Sequence, residues 1–271
     1  MRPNFDFGAT VSEDNNLILW PTEGNRIALI DADMLPYIVG YTISDMTYVR
    51  ATTRVKSGQV PSIKDTPECK QACDRVNSLL NSWVYAAECD AAKLFMTKSE
   101  ANFRVRLAFT KPYKGQRKTE KPPFFYELRE HLLEVHGAIL ADGEEADDLM
   151  SIAQWDSHRR FQQDTGNEFP IGSPEHKAFS DTCIVSLDKD LMIVPGWHLQ
   201  PGQEKKWVEP MGWLELRRKA NGQVKDLKGA GIMFHYAQMI IGDDIDNYAG
   251  IPGRGAKYAY DLLKDCKTEK E

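Results

Sequence analysis

The sequence predicts an α/β protein with a central, mostly parallel sheet flanked by helices. Ile27-Ala28-Leu29-Ile30 and Cys183-Ile184-Val185-Ser186-Leu187 are near-continuous apolar runs of the kind that form parallel strands buried on both faces. Between them lie segments whose apolar residues recur at helical spacing. Acids then close the strand-like or helix-opening segments in four bursts: Asp31 with Asp33, Glu144 and Glu145 with Asp147 and Asp148, Asp188 with Asp190, and Asp243 with Asp246. In open α/β sheets the strand carboxyl ends form the functional edge. Carboxylates gathered there raise one another's pKa, so divalent cations are needed to neutralise them, and oxygen-only ligands favour Mg²⁺ or Mn²⁺.

Taken in order, residues 1 to about 25 read as an irregular arm, and the first strand follows near Arg26 to Ile30. A helix is expected from Leu35. A Gly/Pro-containing loop at Ser57 to Pro67 precedes a helix over Glu68 to Ala87, whose Val76, Leu79, Leu80, Trp83 and Val84 share one face. Lys93-Leu94-Phe95-Met96 is a second strand. After a basic loop, Phe125, Leu128, Leu132 and Val135 define a helix from about Pro123 to Val135. Asp142-Gly143 breaks the chain before a helix that opens at Glu144. Asp164 to Ser180, rich in Gly, Pro and polar residues, reads as a surface insertion, and Pro195 to Pro210 as a hairpin-like connection.

Composition narrows the function classes. A chain of 271 residues can bury a full core. Cys69, Cys73, Cys89, Cys183 and Cys266 are odd in number and lack CxxC spacing, which argues against a disulfide framework or a zinc knuckle. No apolar run reaches the length of a membrane span and the polar start lacks the features of a signal peptide, so a cytoplasmic protein is expected. The net charge of −6 speaks against a general nucleic-acid coat. It conceals a basic stretch, however: Lys111, Lys114, Arg117, Lys118 and Lys121, preceded by Arg104 and Arg106. Cations beside an acidic pocket suit an enzyme that holds backbone phosphates and acts on one of them. His131, His136, His176, His198 and His235 show no ligand spacing and read as surface or core residues; Trp83, Trp155, Trp197, Trp207 and Trp213 read as packing residues.

Three motifs carry the chemistry. Glu145-Ala-Asp147-Asp148 opens a helix, where the dipole tolerates acids. In Asp188-Lys189-Asp190, strand alternation would put both acids on one side and Lys189 on the other. Gly242-Asp243-x-x-Asp246-Asn247 runs into Gly250-Ile-Pro-Gly253-Arg-Gly255-Ala-Lys257, a glycine-rich hairpin able to present N–H groups to a phosphate.

These motifs, with Asp31-Ala-Asp-Met-Leu, Phe103-Arg104 and Tyr113-Lys114-Gly-Gln-Arg117, resemble those of the 5′ nuclease superfamily: flap endonucleases, the 5′-nuclease domains of bacterial DNA polymerase I and, above all, phage 5′-to-3′ exonucleases. The match runs from Ile27 to about Leu263. It implies a PIN-like core over 26–228, a helical arch near 103–136, and a C-terminal helix-hairpin-helix over 229–271. It also implies two Mg²⁺ or Mn²⁺ ions, one held by Asp31, Glu145, Asp147 and Asp148 and the other by Asp188, Asp190, Asp243 and Asp246. Lys114 and Arg117 would approach the scissile phosphate. Arg104, Lys111, Lys118, Lys121, Gly250, Gly253, Gly255 and Lys257 would contact DNA, with K⁺ at the hairpin. The implied partners are DNA 5′ ends, flaps or RNA–DNA hybrids, met by a monomer in a bacterial cytoplasm or in that of a phage's host.

The chain departs from the family pattern at Thr97, where many members carry a further Asp, and at Glu271, soon after the second hairpin helix begins. Such a chain is expected to be a short member or a truncated one. Other readings compete. A haloacid-dehalogenase-type phosphatase would use Asp31-Ala-Asp33 and Gly242-Asp243 but leave Glu145-Ala-Asp147-Asp148 idle; a PIN-type ribonuclease would lack the hairpin; simple DNA binding would need no acids.

Overall fold

The computed structural model of the protein describes residues 10–11, 18–19, 26–98, 103–107 and 120–271. Where an irregular arm was expected, two short strands, β1 (Thr10–Val11) and β2 (Ile18–Leu19), pair antiparallel. Strand β3 (Ile27–Asp31) leads into α1 (Met34–Gly40) and α2 (Asp45–Lys56). The long helix α3 (Pro67–Ala86) starts with Pro at its first position, and the Thr66 hydroxyl accepts the Cys69 N–H. Both are favourable starts, because the first N–H groups of a helix have no internal partner. Next come β4 (Ala91–Thr97), α4 (Phe103–Leu107), α5 (Phe125–Glu134) and β5 (Ile139–Ala141).

The second half begins with α6 (Ala146–Asp164), followed by α7 (Pro174–Phe179) within the expected surface insertion, and β6 (Thr182–Val185). After a 3₁₀ turn at Asp190–Ile193, β7 (Gly196–Leu199) and β8 (Lys206–Val208) form the expected hairpin. A second hairpin, β9 (Trp213–Arg218) with β10 (Val224–Ala230), precedes α8 (Gly231–Ile241), the strand pair β11 (Gly242–Asp243) and β12 (Tyr248–Ala249), and α9 (Ala256–Leu263). Strand β10 runs across residue 229, where the sequence reading begins the C-terminal helical region. Among the described residues no helix is long and apolar enough to cross a membrane.

The main sheet has the order β1-β2-β4-β3-β6-β7-β8, with β5 also pairing β4. Strands β5, β4, β3, β6 and β7 are parallel, so their carboxyl ends share one edge. Alternation along the strands divides the core into two layers. Ala28 and Ile30 face a cluster built with Leu35, Val39, Val76, Leu80, Leu128 and Leu132, from α1, α3 and α5. Leu29, Phe95 and Ile184 face Ala146 and Met150 of α6. A smaller cluster of Ala237, Ile240 and Ala259 joins α8 to α9, with Leu214 and Leu227 of the β9–β10 hairpin packed against it.

The strand order reverses at β3. The chain moves from β3 to β4 and β5 on one side, then returns to lay β6 on the other. Such a reversal leaves a crevice at the carboxyl ends of the two strands that flank it, and in open α/β sheets ligands bind there.

Candidate active site

Asp31 ends β3 at this reversal, and Ser186 follows β6 directly. The Ser186 hydroxyl donates to Asp31 Oδ2 at 2.9 Å, and the Asp33 N–H to Oδ1 at 3.2 Å. Burial, then the nearby Asp33 carboxylate and, more weakly, Asp188, push the Asp31 carboxyl up to about 7, against the pull of the Ser186 hydrogen bond. Asp31 sits beside Asp33 and Asp188; the ligand set implied by the resemblance joins it also to the acids of α6.

Asp33, which the sequence reading left out of the ligand set, is held from two sides. Its Oδ2 accepts the Thr97 N–H at 2.8 Å, and its Oδ1 accepts from the Arg129 guanidinium at 2.5 Å. Arg129 also donates to the Thr97 carbonyl at 2.6 Å, so α5 is clamped to the ends of β3 and β4. The hydroxyl of Thr97 accepts the Ala146 N–H at 3.1 Å. Thr97 thus joins the end of β4 to the first turn of α6, at the position where the family pattern has an Asp.

At the start of α6, the Glu145 N–H donates to Asp148 Oδ2 at 3.0 Å, which satisfies one of the N–H groups a helix start leaves without an internal partner. Arg104, predicted as a DNA contact, lies over this turn. It makes a two-pronged contact with Asp148 at 2.6 and 2.7 Å and reaches Glu145 at 3.2 Å and Asp147 at 3.9 Å. Glu145 is buried beneath it.

The Asp188 segment departs from the expected strand geometry. Strand β6 ends at Val185, and Asp190 begins the 3₁₀ turn, its N–H donating to Asp188 Oδ1 at 2.8 Å. Lys189 therefore does not point away from the acids: its ammonium donates to Asp243 Oδ2 at 2.7 Å. Asp243 is partly buried, which raises its pKa, yet the Lys189 ammonium and the Ile245 N–H bring it below the usual carboxylate range. Burial and the Asp188 charge raise Asp190, partly offset by a hydrogen bond from the Gln238 amide of α8.

Asp246 lies in the turn between β11 and β12. Gly242, at φ +84°, and Gly250 pack backbone to backbone there; a Cβ on Gly242 would meet the Gly250 nitrogen at 2.4 Å. That contact demands glycine on both counts. Gly253, at φ +73°, and Gly255 continue the connection to α9, where Lys257 pairs with Asp261. Lys121 donates to the Tyr37 hydroxyl at 2.6 Å and lies over the Phe125 ring. Lys111, Lys114, Arg117 and Lys118 lie outside the described residues.

The edge of the sheet thus carries carboxylates interleaved with the protein's own cations, Arg104, Arg129 and Lys189. Among the described residues no three His, Cys, Asp or Glu side chains converge closely enough to hold one metal ion. Those gathered at the crevice offer oxygen alone, a donor set suited to hard divalent cations. Arg129, Ser186 and Gln238 were not anticipated. Partnerships across elements leave no periodic mark in a sequence; for Asp33, its place two residues after Asp31 was signal enough.

Several histidines are packed inside the protein. His158, His176 and His198 are buried, with the Pro195 and Val194 carbonyls bonded to His158 and His198. Trp83 is buried in the core, whereas Trp155 and Trp213 are substantially exposed.

No protein-family profile matches the chain, and no curated protein does. Solved structures similar to it include the T5 5′-exonuclease with bound divalent zinc ions, at 16% identity and a TM-score of 0.49, covering 88% of this chain and 74% of that one. The T5 D15 protein co-crystallised with metal ions is similar at 14% identity and a TM-score of 0.45, with the same coverage. A mutant of the T5 5′-exonuclease is similar at 14% identity and a TM-score of 0.39, covering 89% of this chain and 72% of that one. All three are distant likenesses.

Proposed function

We propose that the protein is a metal-dependent 5′ nuclease that hydrolyses DNA phosphodiester bonds at 5′ ends and flaps. The observation that carries this reading is the placement of Asp31 at the reversal of strand order, partly buried beside Asp33 and Asp188. A partly buried carboxyl with two acidic neighbours is stabilised as an anion by a cation. Asp31, Glu145, Asp147, Asp148, Asp188, Asp190, Asp243 and Asp246 would hold two Mg²⁺ or Mn²⁺ ions, which supply an activated water and neutralise charge developing on the phosphate.

The chain's own residues do the rest. Arg104 and Lys189, now resting on acids at either side of the crevice, turn to the backbone phosphates as substrate enters. Lys114 and Arg117 approach the scissile phosphate and help unpair the terminal nucleotides. The glycine-rich connection from Gly250 to Lys257 exposes N–H groups to the duplex backbone, with Arg254 beside it, and offers a K⁺ site. The phosphatase alternative needs Asp33 free as a proton donor, and the salt bridge to Arg129 opposes that role.

The test is Mg²⁺-dependent cleavage of a 5′-labelled flap and a blunt duplex, with the Asp188→Ala, Asp190→Ala protein alongside. Short 5′ products from wild type alone support the reading. Equal cleavage by the double variant would sink it, and hydrolysis of a chromogenic phosphate monoester with DNA left intact would make the protein a phosphatase.

A further inference from the structure

Away from the acidic edge, α3 and α5 enclose a cavity of about 300 Å³ lined by Cys69, Cys73, Asn77, Glu130 and His131, among others. Cys69, Cys73 and Asn77 are spaced four apart and lie on one face of α3. His131 of α5 donates from Nε2 to Asn77 Oδ1 at 2.9 Å, and His136 donates to the same oxygen at 2.7 Å. An amide oxygen only accepts, so the proton of neutral His131 sits on Nε2 and Nδ1 is left with its lone pair. Cys73 lines the cavity together with His131, one turn of α3 beyond Cys69. An imidazole fixed by an amide, with its free nitrogen in the same cavity as a thiol, is a partner able to take up the thiol's proton and activate the sulfur.

The two sulfurs differ in setting. Cys69 is buried, and its neighbour Cys73 together with burial keeps it protonated. Cys73 is half-buried at the cavity wall, and its neighbours Cys69 and then His131 bring its pKa down to about 5. The thiolate is the reactive form of cysteine. Carboxylates of Asp74, Glu127, Glu130 and Glu134 outnumber Lys64 and Lys70 around the cavity, which favours small, neutral reagents over anionic ones.

We infer that Cys73 is a peroxide-reactive thiol and that Cys69 resolves its oxidised form. In the first step the Cys73 sulfur attacks a hydroperoxide oxygen, an S–O bond forms, and the O–O bond breaks to release the alcohol, or water from hydrogen peroxide, after proton uptake. In the second, Cys69 loses its proton and attacks the Cys73 sulfur; the S–S bond forms and the S–O bond breaks to release water. Two thiols and one hydroperoxide give a disulfide, an alcohol and water, the sulfurs losing two electrons in all and the peroxide gaining them. Cysteines four apart on a helix have Cβ atoms about 5–6 Å apart, against about 4 Å in a disulfide, so the helix must give. Cys69 is the third residue of α3, in its first turn, where unwinding is easiest.

The experiment treats the full chain with equimolar hydrogen peroxide and dimedone, then maps the cysteines by peptide mass spectrometry. Wild type is expected to show a Cys69–Cys73 linkage reversed by reductant, and Cys69→Ser a dimedone adduct at Cys73. Iodoacetamide is expected to alkylate wild-type Cys73 on the order of 10-fold faster than N-acetylcysteine at about pH 5.5, since a high thiolate fraction outweighs its lower nucleophilicity there. Cys73 reacting no faster than N-acetylcysteine would overturn the proposal. So would a stable wild-type Cys73 adduct with no linkage to Cys69.

Discussion

Replacing Asp31 by Asn keeps the shape beside Ser186 and removes a charge that burial disfavours. We expect Asp31→Asn to lose cleavage by ~100-fold or more while unfolding at higher denaturant, a gain on the order of 1 kcal/mol. Activity lost together with stability would instead mark Asp31 as a packing residue. The neighbouring clamp has the opposite character. Arg129→Leu leaves the partly buried Asp33 carboxylate without its cation, and urea unfolding should show a cost of roughly 2–3 kcal/mol. Asp31 was legible because it closes an apolar run. Arg129 was not, since it emerges from a helix whose pattern reports only the face that packs.

At the scale of elements, apolar spacing marked strands and long helices well: α3 and α5 lie within about two residues of their expected spans. The Asp188 segment shows where alternation fails. A strand pattern was extended past Val185, but the chain turns into a 3₁₀ coil, and Lys189 swings to Asp243 rather than to the opposite face. The helix α2 was missed because its apolar residues are few and its start rests on the Ser44 cap. The connection between α8 and α9 yields a further prediction. Gly242→Ala puts a methyl group against the Gly250 backbone at a positive φ, so we expect a loss of roughly 2 kcal/mol or more on unfolding. Duplex affinity should fall while affinity for single strands changes little, as a binding titration on both ligands would show.

For the whole molecule, pH and divalent ions are the readouts. Burial pushes His136, His176 and His198 from an ordinary 6.5 down to about 4, helped in each case by a neighbouring histidine and for His198 also by Lys206. Above about 6.5 these imidazoles are neutral in both states and contribute no pH dependence of their own. As pH falls from there toward 4, the unfolded chain takes up protons that the folded chain refuses, so stability should drop by several kcal/mol in thermal or urea melts. A flat profile across that window would mean that these rings are hydrated. Addition of Mg²⁺ should raise the melting temperature in proportion to the logarithm of its concentration above the dissociation constant, and chelation should reverse it.

The bond between Ser186 and Asp31 spans 155 positions of sequence. Strand β3 finds its first neighbour, β4, early in the chain and its second, β6, only once about two thirds of the chain has been made. During synthesis, therefore, the ribosome releases every helix of the first layer before the crevice can close around Asp31. Under the proposed function, a nascent chain stalled before β6 would lack Ser186, Asp188, Asp190 and Asp243 and would be expected to leave nucleic acid intact, including the message being translated, until its last third emerges.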